Sequence, residues 1–216
     1  MSELAHKGHP EYLQHHFAEA AQQEDASKIG MWLFLATEVL LFSGLFLAFA
    51  VMRQYHYEAF REGHHHLNKT LGVVNTLVLI CSSLTMALGV RAAQTSRKQQ
   101  LINYLVATLL FAATFLVIKY FEYSHKIHEG LLPGRYFTGE MHEPAVPLFF
   151  GLYFLMTGLH GLHVVAGMIA IGWVLWRGIK GHFHSEYYTP VENVGLYWHL
   201  VDLIWIYLFP LLYLLP

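Results

Sequence analysis

The chain has 216 residues, 55% of them apolar and only 13% charged, with a net charge of −2 and a mean hydropathy of +0.38. A water-soluble domain carries roughly 25% charged residues, so the charges here are too few to cover a water-facing surface, and the weak negative balance gives nucleic acid no electrostatic footprint. One cysteine, Cys81, lies inside an apolar block, which excludes a disulfide framework or an iron–sulfur site within the chain, and no Cys-x-x-Cys-His is present for covalent haem attachment.

In chain order, residues 1–28 form a polar tail rich in His, Glu and Gln, without the short apolar core of a signal peptide. Residues 12–28 suit either a helix lying on the membrane surface or a polar tail without fixed structure. Five apolar blocks follow, at about 29–52, 71–90, 101–123, 146–176 and 194–215. Crossing a hydrocarbon core takes about 20 helical residues, and all five blocks suffice. They are continuous runs without the alternation of a β-barrel. The predicted fold is an all-α membrane protein, a bundle of five transmembrane helices spanning 29–216.

The loops between the blocks carry the charges. Lys7, Lys28, Arg91, Arg97, Lys98, Arg177 and Lys180 fall on the side of the N-terminus, and Arg53, Arg61, Lys69, Lys126 and Arg135 on the other. This bias orients the N-terminus inside and the C-terminus outside. Trp32, Tyr123, Trp176 and Tyr213, near block ends, read as an aromatic belt. The histidines at 64–66 read as solvated loop residues, because no further ligands stand at defined spacing around them.

Ionisable groups in hydrocarbon are costly and turn toward protein, so they mark the informative positions. Glu38 lies deep in the first block. Asp202 lies about as deep in the fifth, one turn after His199. Both are roughly 15 Å from the inner end, and His163 in the antiparallel fourth block is at a similar level. Glu38, Asp202 and the fourth-block histidines are therefore expected to meet in one polar layer. In the fourth block, Gly151, Gly158 and Gly161 share a side suited to close helix approach, while His160 and His163 share the other with Gly167. Both histidines are expected to hydrogen-bond across helices, since axial haem ligation needs partner histidines on a second helix and only His199 is available. Lys119, Glu122 and Lys126 stand at spacings for a local ion pair, with Lys119 able to snorkel outward. Glu38 suits either a buried hydrogen bond or proton handling. Two rival readings use the same residues: a di-haem b cytochrome built on His160, His163 and His199, and a small transporter built on Glu38 and Asp202.

Five ordered segments resemble a known family. They are Lys28-Ile-Gly-Met-Trp-Leu-Phe-Leu-Ala-Thr-Glu38-Val-Leu-Leu-Phe, Val74-Asn75-Thr76 with Ser82-Ser83, and Phe115-Leu-Val-Ile-Lys-Tyr-Phe-Glu122-Tyr123. Thr157-Gly-Leu-His160-Gly-Leu-His163-Val-Val-Ala-Gly167 and Tyr197-Trp-His199-Leu-Val-Asp202-Leu-Ile-Trp205 are the most specific. From about Lys28 onward the chain resembles subunit III of cytochrome c oxidases and related haem–copper oxidases. The resemblance implies a non-catalytic subunit of a proton-pumping complex in aerobic respiration, in a bacterial cytoplasmic membrane. It would lie beside subunits I and II and smaller subunits, supporting proton uptake and the durability of the catalytic centre. Haem and copper would belong to subunits I and II, and this chain would hold no catalytic or metal-binding residue. The long family form has seven helices, the first two enclosing a cleft that holds phospholipids. Those two are absent here, as in the short bacterial form, which leaves lipid binding open. Some quinol oxidases have Asp where this chain has Glu38, so the resemblance leans toward cytochrome c as donor. Quinol oxidase and nitric oxide reductase-associated paralogues are the alternatives.

Overall fold

The computed structural model describes residues 13–15, 17–139 and 141–214. Among these residues the chain forms α1 (Ala20–Tyr55), α2 (Tyr57–His65), α3 (Lys69–Gln94), α4 (Lys98–His128), α5 (Val146–Ile179) and α6 (Thr189–Phe209), the last continuing into a π turn over Pro210–Leu214. Five of these helices are long and apolar enough to cross a membrane, and no strand occurs among the described residues.

The helices outrun the apolar blocks that nucleate them. α1 begins well before residue 29, so the end of the expected polar tail is helical. Extending a helix costs far less than starting one, and Ala20, Ala21, Gln22, Gln23 and Glu24 favour the helical state. Glu24 and Lys28, one turn apart, add an ion pair at 2.6 Å. Of the surface helix considered for 12–28, Tyr12 and His16 lie outside the described residues.

Helix ends follow local chemistry. Asn68 caps α3 by accepting from the Leu71 N–H at 3.2 Å, and prolines stand in the first turns of α5 and α6, where a missing N–H is harmless. α4 and α5 close on Gly130 and Gly181 at φ 72° and 79°. Beyond each glycine the chain returns an N–H to the helix, from Leu131 to Lys126 and from His182 to Arg177.

In the connection between α1 and α3, His65 and His66 are exposed as expected, but His64 is buried and the segment is not a plain loop. It contains α2, which buries Ala59, Phe60, Gly63 and His64 against the bundle. Gly63 is obligatory there, because a Cβ would collide with the Phe149 ring of α5.

α3, α4, α5 and α6 form a closed ring, each touching the next, and α1 leans on the seam between α5 and α6. The interior is filled by Leu79, Met86, Leu105, Phe115, Tyr153, Met156, Trp198 and Trp205. Leu40, Leu110, Leu162 and Ile169 face outward, as does Cys81, which points away from the bundle although its block is apolar. Since lipid is as apolar as leucine, packing and interhelical hydrogen bonds hold such helices together. The close approach of α5 is made by Gly167, where a Cβ would come 2.6 Å from the Trp198 ring of α6. The expected Gly151, Gly158 and Gly161 side is looser, with nothing within 4 Å of a Cβ at Gly161. The indole needs the depth of a missing side chain, and α6 supplies the indole.

Candidate functional site

α1 carries Glu38 to the flank of α5, where its Oε2 lies 2.8 Å from His163 Nε2. His163 Nδ1 is 2.8 Å from the Leu159 carbonyl of its own helix. A carbonyl only accepts, so Nδ1 bears a hydrogen. The Glu38–His163 contact then holds one proton in either form, on the carboxyl of a neutral pair or on the imidazole of an ion pair. The two side chains are only 15% and 16% exposed, Phe42 sets its edge against the imidazole at 5.1 Å, and the Tyr197 hydroxyl of α6 donates to the His163 carbonyl at 3.2 Å. One proton-holding contact thus joins α1, α5 and α6.

A second cluster ties α4, α5 and the π turn together. Glu122 Oε2 accepts from Lys119 Nζ at 2.9 Å, and its Oε1 accepts from the hydroxyls of Tyr213 at 2.6 Å and Tyr153 at 3.0 Å. Lys119 also donates to the Tyr213 and Tyr153 hydroxyls, at 3.0 and 3.3 Å. The rings of Tyr123, Tyr153, Trp205 and Tyr213 lie 5.1–5.6 Å from the ammonium. Lys119 therefore does not snorkel: it is 7% exposed and Glu122 is 3% exposed. A buried ion pair persists only where hydrogen bonds and ring faces replace the lost water. Lys126 does not join it but pairs with Glu129 at 2.9 Å. Tyr213 and Tyr123, expected in the belt, turn inward instead. Tyr213 is fully buried, and the Tyr123 hydroxyl bonds Thr157. Trp32 and Trp176 remain on the exterior.

A row of polar contacts fastens α6 to α3. Trp198 Nε1 donates to Ser82 at 2.8 Å, Ser83 bonds His199 Nδ1 at 2.7 Å, and Trp205 Nε1 donates to Thr76 at 3.1 Å. Asp202, 2% exposed, faces Ser83 of α3 without a well-formed hydrogen bond among the described residues. Of the expected polar layer, Glu38 and His163 meet, while Asp202 does not join them. α6 turns Tyr197 and Tyr207 toward Phe34 and Phe46 of α1, which leaves Asp202 on another face.

His160 also departs from expectation. Its ring is fully buried between Phe115 and Trp205, with centroids 5.6 and 5.3 Å away, and neither nitrogen has a partner among the described residues. Cross-helix hydrogen bonding thus holds for His163 and His199 and not for His160. Among the described residues no three or more His, Cys, Asp or Glu side chains gather as they would around a metal ion.

Two groups on α2 make long-range bonds that the sequence did not announce. Glu62 accepts from the amides of His142 at 2.9 Å and Glu143 at 3.0 Å, ahead of α5. The His142 amide is the larger cause holding its carboxyl below the ordinary value of 4.5. His64 Nδ1–H donates to the Leu212 carbonyl of the π turn at 3.1 Å, and burial pulls its pKa below 6.5. Both bonds cross more than 75 residues of sequence, so no local pattern announces them.

Residues 11–215 match the family model described as cytochrome c oxidase subunit III. The chain is 34% identical over 211 residues to the cytochrome c oxidase subunit 3 of Synechocystis sp., covering 97% of this chain and 78% of that one. It is 31% identical over 187 residues to the cytochrome bo(3) ubiquinol oxidase subunit 3 of Pseudomonas putida, covering 87% and 84%. A heme-copper oxidase subunit I+III of Aeropyrum pernix is 29% identical over 197 residues, covering 88% of this chain and 23% of the larger one.

Proposed function

The chain belongs to the cytochrome c oxidase subunit III family, and from that premise we propose that it is a supporting subunit without a redox centre of its own. It sits in a bacterial cytoplasmic membrane beside the catalytic subunit of a proton-pumping haem–copper oxidase. Haem and copper are carried by subunits I and II, with smaller subunits completing the complex. The N-terminus is inside and the C-terminus outside, following the basic bias of the loops, and phospholipid fills the spaces around the helices.

The observation that carries the reading is the Glu38–His163 contact. The deepest acid of α1 is spent on binding α1 to α5, and Glu122 is likewise spent on Lys119 and two tyrosines. A relative whose name joins subunits I and III in one chain supports a place against a subunit I. The relatives are named for both cytochrome c and ubiquinol oxidases; Glu38, where some quinol oxidases have Asp, favours cytochrome c here.

In this role the bundle covers a flank of the catalytic subunit near its proton entry, where local charge sets the rate of uptake. Removing it slows protonation and prolongs reactive oxygen intermediates, which attack the metal centre. The test is oxygen consumption by a subunit-deleted oxidase, followed through many turnovers with excess donor. The expected result is a near-normal initial rate followed by progressive inactivation, with Glu38→Ala in the whole complex milder. Loss of all activity from the first turnover, in a complex retaining its haem and copper, would place this chain in the chemistry itself.

A further inference from the structure

At the end of the bundle opposite α2, the turn from α3 to α4 carries Arg91, Arg97 and Lys98, and no acid lies between Val90 and Tyr104. Leu88, Arg91, Thr95, Arg97, Gln100 and Tyr104 line a groove there. No carboxylate among the described residues pairs with Arg91 or Arg97, and Arg97 reaches only the neutral Gln100 side chain, at 3.4 Å. Leu84 and Leu88, 61% and 39% exposed, continue the groove along α3 toward the membrane interior, since positions 84, 88, 91 and 95 share one helix face. The groove thus has a cationic mouth at the membrane surface and an apolar floor running into it.

We propose that this groove binds one anionic phospholipid, its phosphodiester between the Arg91 and Arg97 guanidiniums and an acyl chain along Leu88 and Leu84. Guanidinium matches a phosphate's oxygens with paired N–H groups, and the Gln100 amide and Tyr104 hydroxyl supply further donors. An anionic headgroup adds no cation of its own, whereas the ammonium of a zwitterionic lipid would stand against Arg91, Arg97 and Lys98. Basic pockets beside membrane helices select anionic headgroups by this balance. The inference requires only that α3 and α4 cross a bilayer and does not depend on the oxidase reading.

The experiment uses the intact complex in nanodiscs of equal parts phosphatidylglycerol and phosphatidylcholine, with a benzophenone amino acid replacing Leu88. Mass spectrometry identifies the lipid captured on illumination. The captured ratio of phosphatidylglycerol to phosphatidylcholine should exceed the bulk ratio about tenfold. The enrichment should fall to the bulk ratio in an R91Q/R97Q variant and persist in excess inorganic phosphate. The same probe at Leu162, 67% exposed on α5, should report the bulk ratio. Both arginines are exposed, so the double variant keeps its fold, and retention of the subunit is read from the same spectra. Equal capture of the two lipids, enrichment surviving the double substitution, equal enrichment at Leu162, or displacement by inorganic phosphate would each overturn the proposal.

Discussion

Glu38 and His163, 125 residues apart in the chain, meet at 2.8 Å inside the membrane span, with the second nitrogen of the histidine committed to Leu159. Among the described residues each is the other's only side-chain hydrogen-bond partner, so truncating one strands the other in an apolar seam.

Glu38→Ala and His163→Ala should each cost about 1–3 kcal/mol, the penalty of an unpartnered buried polar group. The double variant should lose clearly less than the sum of the two. Thermal melts of the four proteins in one detergent provide the measurement, and strict additivity would mean the contact contributes nothing.

The Lys119–Glu122 cluster makes a sharper prediction. Lys119→Met leaves a carboxylate enclosed by rings and should destabilise by roughly 3–5 kcal/mol, whereas Lys119→Met with Glu122→Leu removes both charges and should recover most of that loss. Tyr213→Phe deletes the 2.6 Å donor to Glu122 and should cost about 1.5–3 kcal/mol. A double variant no more stable than Lys119→Met alone would contradict this account.

Glu62 gives a pH dependence with a definite sign. Its carboxyl titrates below 4.5 in the folded chain because the His142 and Glu143 amides donate to the ionised form. The stabilisation is therefore present above 4.5 and disappears as the pH falls through 4.5 and then through the lower folded value. The melting-temperature gap between the native chain and Glu62→Gln should be open at pH 7 and should close below pH 4.5. A gap that widens on acidification would reverse the sign and reject the assignment.

Two glycines on one helix should respond differently. Gly167→Ala places a methyl 2.6 Å from Trp198 and should cost about 1–3 kcal/mol through overpacking. Gly161→Ala meets nothing within 4 Å and should leave the melt unchanged.

The five spans were legible because each is an uninterrupted apolar run, and the Glu38–His163 level followed from counting residues along antiparallel helices. Depth along a helix is one coordinate; rotation about its axis is another, and it depends on which neighbours a helix has. That is why Asp202, at the expected depth, faces a different neighbour from Glu38. The same ignorance put Gly161 in place of Gly167, and placed Tyr213 on the rim when the π turn swings it into the core. α2 is too short to register as a span and too polar to register as core. Lys126 had carboxylates within reach both before and after it, and only the fold decides between Glu122 and Glu129.

His160 lies tilted against Trp205 and edge-on to Phe115, in a slot whose walls are rings. A phenylalanine there would make the same contacts without two nitrogens that find no partner among the described residues, and removing such a mismatch raises stability. The bundle therefore stands below the heat resistance its own backbone permits. A laboratory selection for thermal endurance alone would be drawn to position 160, and its winners would have exchanged an imidazole at the centre of the membrane for a hydrocarbon.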